Sequence, residues 1–411
     1  YTETDADRPV DVDLVYELWF DGNQVEDFET TTHELRFTST TDSDLQWQAG
    51  LYSLNFEKSE RSTQTFGAWA GGPFSIRSAW YDAERKHIAA FGNVSYESGP
   101  WAIDFGLRVD SWESYMTIVD ETAPSLGTDN KIDGTEVTPR LSVSRTLEDD
   151  SMLYVTISQG YEPGGVGYEP IITDANGDPV KLPTWDPEEV VQAEIGWKGT
   201  FDDGRGTAAI AAFWIDYDDR LFTGVITEPD GSIYEQVTNV GDSQQTGIEL
   251  EVVFQATENL LLSGAIGVLD AEWDAGTMIG GVDMSNTTPS GAVDDGFALG
   301  AYYNKGMANG MEFIFDLQIN YRGKMRTMPP GSPLDNTDYH TVNVATGIKS
   351  GGWELMLHAE NLTDEKYYHD VENNFPNLGP NGIFDDASEP LVILGTPGNP
   401  RLVSVSASYR F

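Results

Sequence analysis

Val403-Ser404-Val405-Ser406-Ala407-Ser408-Tyr409-Arg410-Phe411 alternates without a break, with apolar groups at the odd positions and serines and an arginine at the even ones. Successive side chains of a β-strand point to opposite faces, so this stretch reads as a strand with one apolar and one polar face. Met311 to Arg322 repeats the pattern: Met311, Phe313, Phe315, Leu317, Ile319 and Tyr321 share a face opposite Glu312, Asp316, Gln318, Asn320 and Arg322. Similar apolar faces occur at Trp101–Val109, Val191–Trp197, Ile248–Phe254 and Trp353–Ala359. Their other faces hold Asp104, Arg108, Glu194, Lys198, Glu249, Glu251, Glu354, His358 and Glu360.

A soluble sandwich, dry on one face and wet on the other, would also alternate. The connections separate the two readings. Strands are expected to begin near residues 33, 45, 88, 101, 136, 151, 189, 206, 244, 259, 296, 311, 339, 352 and 400, about fifteen in all. Short links such as Asp202-Asp203-Gly204-Arg205 and Lys349-Ser350-Gly351 alternate strictly with long ones at 57–87, 112–135, 159–188, 218–243, 274–295, 323–338 and 362–399. In an up-and-down barrel every second link emerges at the same end, so one end has tight turns and the other large loops. That is the outer-membrane arrangement, and loops this long are unusual in compact soluble domains. The expected fold is an all-β, antiparallel transmembrane β-barrel. Trp101, Trp197, Trp214, Tyr217, Trp273, Tyr321, Trp353 and Tyr409 are expected in its interfacial belts.

Composition narrows the function. The 411 residues carry 23 Lys and Arg against 68 Asp and Glu, a formal charge of −45, which excludes a phosphate-neutralising nucleic-acid binder. With 11 Trp, 18 Tyr and 18 Phe the chain is not an acidic disordered one. The lack of cysteine removes disulfides, thiolate zinc sites and thiol nucleophiles together. No run approaches the ~18 apolar residues of a membrane helix. Tyr1 to Pro9 shows no leader pattern.

Several motifs, in order, resemble the TonB-dependent outer-membrane receptors. His33-Glu34-Leu35-Arg36-Phe37 looks like their E-L-R strand, and Gly160-Tyr161-Glu162-Pro163-Gly164-Gly165 like their loop entry. Gly196-Trp197-Lys198, Asn239-Val240-Gly241 and Gly247-Ile248-Glu249-Leu250-Glu251 are similar to their hairpins, and Glu360-Asn361-Leu362-Thr363-Asp364-Glu365-Lys366-Tyr367-Tyr368 to their N-L-T-D box, ahead of Pro400-Arg401 and Phe411. The resemblance implies that the chain is the C-terminal part of a 22-stranded barrel, with signal, coupling box and plug domain expected upstream and not in this sequence. Residues 1–32 then read as an outer loop or the end of an upstream strand, and 33–411 as the barrel portion.

Catalytic and metal-ligating patterns are absent. The histidines 33, 87, 340, 358 and 369 are scattered, and no G-x-S-x-G, H-E-x-x-H or P-loop spacing occurs. His340 with Ser404 or Ser406 is the one conceivable base–nucleophile pairing, and these read as ordinary polar strand residues. Asp129-Asn130-Lys131-Ile132-Asp133-Gly134 departs from a calcium loop at its third position. Phe375-Pro376-Asn377-Leu378 echoes only part of a haem-receptor box. No enzyme activity and no cofactor are expected.

Ligand capture is assigned to outer aromatics Tyr161, Tyr168, Trp185, Tyr367, Tyr368 and Phe375, to the basic Arg77 and Arg85, and to the polar-face residues Glu312, Arg322 and His358. Rings among carboxylates suit a solute with an apolar face. Acid-rich loops favour a neutral or cationic solute, or an anion carried with a metal. The expected function is energised uptake of a scarce solute of siderophore-iron, vitamin or oligosaccharide type across a Gram-negative outer membrane. Its partners would be the inner-membrane TonB complex, reached through the upstream region, and the bilayer with its lipopolysaccharide. A passive porin and a structural or adhesive barrel are the alternatives.

Overall fold

The structure is a computed structural model that describes residues 2–11, 20–40, 43–66, 75–121, 127–167, 172–173, 179–227, 233–279, 282–325, 338–372 and 394–411. Sixteen strands form one sheet in chain order. They are β1 Thr2–Asp11, β2 Phe20–Thr38, β3 Leu45–Phe66, β4 Ser75–Ser98, β5 Trp101–Asp120, β6 Thr128–Thr146, β7 Met152–Glu162, β8 Glu188–Phe201, β9 Gly206–Thr227, β10 Ile233–Thr257, β11 Leu260–Trp273, β12 Asp295–Gly306, β13 Glu312–Arg322, β14 Tyr339–Ser350, β15 Trp353–Glu360 and β16 Leu402–Tyr409. Every neighbour pair is antiparallel, which makes an up-and-down barrel wall with β1 and β16 as its two sides.

Ladder register sorts the side chains. On the outward face, Leu35 pairs with Leu51, Leu51 with Ala90, Ala90 with Val109, and Val109 with Val137. Along β5 the outward series runs Trp101, Ile103, Phe105, Leu107 and Val109, all exposed. It then turns polar at Ser111 and Glu113. Ten residues of a strand tilted by ~40° climb about 25 Å, the height of an outer-membrane apolar band. Inward positions on the same strand are Asp104, Gly106, Arg108, Asp110 and Trp112. The apolar face is the lipid face and the polar one lines the interior.

The tight turns gather at the end of the wall nearest Trp101 and Trp353. Gly99, Asp150, Asp202, Asp203, Gly204, Gly310, Gly351 and Gly352 all have positive φ there. Such angles close a hairpin and favour Gly, Asn and Asp, which is why these turns are readable from sequence. Arg205 N–H closes the Asp202 turn with a 3.1 Å bond to the Asp202 carbonyl.

The expected count of about fifteen strands holds, with Thr2–Asp11 as one further strand paired with Asp21–Thr30 at the start of the chain. Two expectations are corrected. Most of the long links at 57–87, 112–135 and 218–243 is strand: β3, β4 and β5 run for 22, 24 and 20 residues, and β10 for 25. About ten residues suffice to cross the membrane, so these ladders continue into water. There the outward face turns largely polar, the strict apolar alternation disappears and the backbone bonding persists. Finally, Tyr217 and Trp273 face inward, on the row through Ser243, and do not join the lipid-side belt.

Candidate functional site

The inner wall is narrowed at its outer end by the segment that links β7 and β8. Gly165–Val166 pairs with Thr184–Trp185, and the Trp185 ring lies against Gly165, where a Cβ would clash with it. Val166 and Leu182 are buried with Ala79 and Ile118 of the inner wall, and Tyr81, Met116 and Ile132 pack round them. Asn130 Nδ2 donates to the Leu182 carbonyl at 2.6 Å. An apolar patch on an otherwise polar interior thus holds the segment inside the lumen.

Trp112 of β5 lies beside this hairpin. It is 3% exposed and packed against Gly134 and Gly164. Next to it Arg108 grips Asp110 with two bonds of 2.5 and 2.7 Å and lies 5.1 Å over the Tyr52 ring. Tyr161 is within electrostatic reach of both charges. The β6–β7 ladder stops at Arg140–Ser158, next to Pro139, which has no N–H to donate.

Arg85 lines a cavity of about 530 Å³ on the inner face of β2–β5, closed on one side by Val166. Lys58 in the same cavity bridges Glu26 at 3.1 Å and Glu60 at 2.7 Å, and Gln24 donates to Glu60 at 3.2 Å. The rim on the far side is built round Arg322. Its guanidinium sits 4.8 Å over Tyr339 and donates to the carbonyls of His369 and Tyr368 at 3.0 and 3.4 Å. Tyr367 stacks on Tyr339 at 4.1 Å. Asn361 fixes this last link: its Nδ2 donates to the carbonyls of Glu365 and Asn399, and its Oδ1 accepts from Glu365 N–H, each at 2.9 Å.

On the β9–β10 rim, Asn239 bonds the backbone of Asp186 and Asp219, and Asp242 accepts from Asp219 N–H at 2.9 Å. Burial holds the Asp219 carboxyl above the usual carboxylate range, and the charges of Asp242, Asp186 and Asp218 raise it further. Arg220 lies over both Tyr217 and Trp273 and donates to Ser243 at 2.9 Å. Trp273 shares an apolar cluster with Ile279 and Met284 of the β11–β12 link.

The structure therefore sets Tyr161, Trp185 and Arg85 on one side of the outer interior, and Arg322, Tyr367 and Tyr368 together on another. It separates Glu312 and His358 from them. Glu312 and Arg322 terminate the same strand, about 33 Å apart at 3.3 Å per residue. His358 meets Ser406 at 3.0 Å deeper in the lumen, so His358 takes the serine contact considered for His340. Tyr168, Phe375 and the Arg77 side chain lie outside the described residues. Trp112, Asp110 and Tyr339 escaped the sequence reading, since nothing local marks which strand residues a folded-in loop will meet. Asn361 had a signal, the turn-forming N-L-T-D box. No group of three or more His, Asp or Glu residues placed to hold a metal occurs among the described residues. The arrangement offers rings and paired charges, the means to hold a solute.

A family model described as "TonB dependent receptor-like, beta-barrel" matches residues 4–362. The metal-pseudopaline receptor CntO of Pseudomonas aeruginosa is 26% identical over 239 residues, covering 58% of this chain and 31% of its own length. Among solved structures, the ferric yersiniabactin uptake receptor FyuA from Yersinia pestis aligns with a TM-score of 0.75 at 17% identity, over 95% of this chain and 55% of that one. The siderophore receptor PiuA from Acinetobacter baumannii aligns at 0.68 and 17% identity, over 94% and 57%. The chain thus spans about a third of the curated relative and just over half of these structures.

Proposed function

The chain belongs to the TonB-dependent receptor-like β-barrel family, and we propose that it forms the ligand-receiving wall of a Gram-negative outer-membrane receptor for active uptake of a scarce solute. The observation that supports this most is that Gly165–Val166 and Leu182–Trp185 of the β7–β8 link fold inward, anchored by Val166 and Leu182 against the inner wall. The link adds to the inner wall a lining in which Trp185 and Trp112 meet at Gly164. A segment folded into the lumen fits either a receptor or a selective pore, so dependence on energy is what separates the two. In this reading the solute is a small organic chelate of the kind the relatives are named for. Energy comes from the inner-membrane TonB complex through the receptor's plug region, and the outward wall meets lipid and lipopolysaccharide.

The test is cell-associated metal in a host starved of iron, nickel, cobalt and zinc in turn. Loss of the receptor gene and loss of the energy-transducing protein should lower accumulation of the same metal. Accumulation that depends on the receptor but not on the energy-transducing protein would make the barrel a passive pore.

A further inference from the structure

We propose that the β2–β5 cavity is a subsite for a planar carboxylate, carried on an aromatic or otherwise flat part of the ligand, with Arg85 as its receiving group; the inference rests on the uptake reading above. Four charged residues line the cavity: Glu26, Lys58, Glu60 and Arg85. Three are engaged with one another, because Lys58 bridges Glu26 and Glu60. Gln24 takes the other oxygen of Glu60. Arg85 is different. Among the described residues it has no ion pair and no hydrogen bond, and its partners across the ladder are Phe56 and Ser114, neither of them acidic. In a chain of charge −45, an unpaired guanidinium on the inner wall stands out.

The surroundings define what it receives. Phe56 and Tyr81 line the same space, and Phe28 packs on Phe56 with ring centroids 6.3 Å apart. A guanidinium presents a flat fork of donors that matches the two oxygens of a carboxylate, whereas an ammonium is a point charge. Rings beside the fork favour a ligand whose carboxylate continues a flat group. About 530 Å³ is within the range of small-molecule sites and holds a fragment of that size. Val166 forms one side, so the same inward-folded segment that narrows the lumen also completes this cavity.

Benzoate and its neutral counterpart benzamide are the probes, followed by ligand-observed NMR on the purified full-length receptor. The wild type should bind benzoate about tenfold tighter than benzamide, a difference of about 1.4 kcal/mol. Arg85→Gln should abolish the preference, Arg85→Lys should keep part of it, and Lys86→Gln, whose lysine is paired with Glu84, should behave as wild type. Equal binding of both probes by the wild type, or an unchanged benzoate preference in Arg85→Gln, overturns the subsite. Metal accumulation in cells, measured in parallel with the wild-type gene, reports on transport separately. If accumulation is energy-dependent while Arg85→Gln keeps its benzoate preference, the subsite is wrong and the uptake reading stands. If the wild type gives no energised accumulation, the uptake reading falls and the NMR comparison still decides the subsite.

Discussion

Gly247 shows how a single residue sets the spacing of the wall. A Cβ there would stand 2.8 Å from the Val268 carbonyl oxygen and against the Phe213 ring. Backbone oxygen in a continuous ladder cannot move aside cheaply, so Gly247→Ala should cost about 1–3 kcal/mol, the usual range for overpacking. A refolding titration in lipid vesicles would measure it, and an unchanged midpoint would contradict the packing. Facing is equally local. Phe315 pairs with Tyr303 and Thr346 on the lipid side, and Gln318 with Gly300 and Asn343 inside. Phe315→Arg should therefore cost about 2–4 kcal/mol, if near mid-depth, and Gln318→Arg close to nothing. Equal losses in the same titration would reverse the assignment of faces.

At the scale of the strand, β9 and β10 show what extension beyond the membrane requires. The ladder shifts register between Tyr217 and Leu221, and Asp219 adopts φ +52 at that irregularity. Its carboxyl is raised by burial and by neighbouring carboxylates, so the folded state binds a proton more tightly than the unfolded one. That contribution strengthens the fold as pH falls through the raised value and weakens it above. Asp219→Asn removes the repulsion and keeps a residue type that accepts positive φ. Amide exchange across residues 216–242, corrected for intrinsic rates, should slow in the variant at neutral pH and converge with wild type in mild acid. A variant that exchanges faster at neutral pH would refute the mechanism. The same strands explain what was legible beforehand. Within the bilayer, lipid demands an apolar residue at every second position, so Trp101–Val109 and Phe313–Tyr321 could be read directly. Above it nothing constrains the outward face, and Thr31, Asn55, Lys86 and Glu113 form a row that resembles a loop in composition. The site was legible where local chemistry is distinctive, as at Asn361 or Arg322. It was not where contacts depend on a segment far away in sequence, as at Trp112, which meets Gly164 of the β7–β8 link.

For the molecule as a whole, tight turns at one end and tall walls at the other lead us to expect Asp203 on the periplasmic side and Asn239 outside. Cysteine placed at Asp203 should resist an impermeant label in intact cells, and labelling there would invert the topology. The charge of −45 acts at the same scale. Fields from such a wall extend about a Debye length, ~8 Å at physiological salt, and oppose an approaching anion before any contact forms. An Arg85 subsite acts only at contact distance, so it can hold a carboxylate that the field slows. The two effects separate in kinetics. For a trianionic iron chelate offered to the purified receptor, the association rate should rise with added salt, as screening lifts the repulsion. A bound carboxylate held by Arg85 should dissociate faster under the same change. An association rate that falls with salt would mean that cationic groups outside the described residues dominate the approach, and that the acid-rich wall does not select against anions.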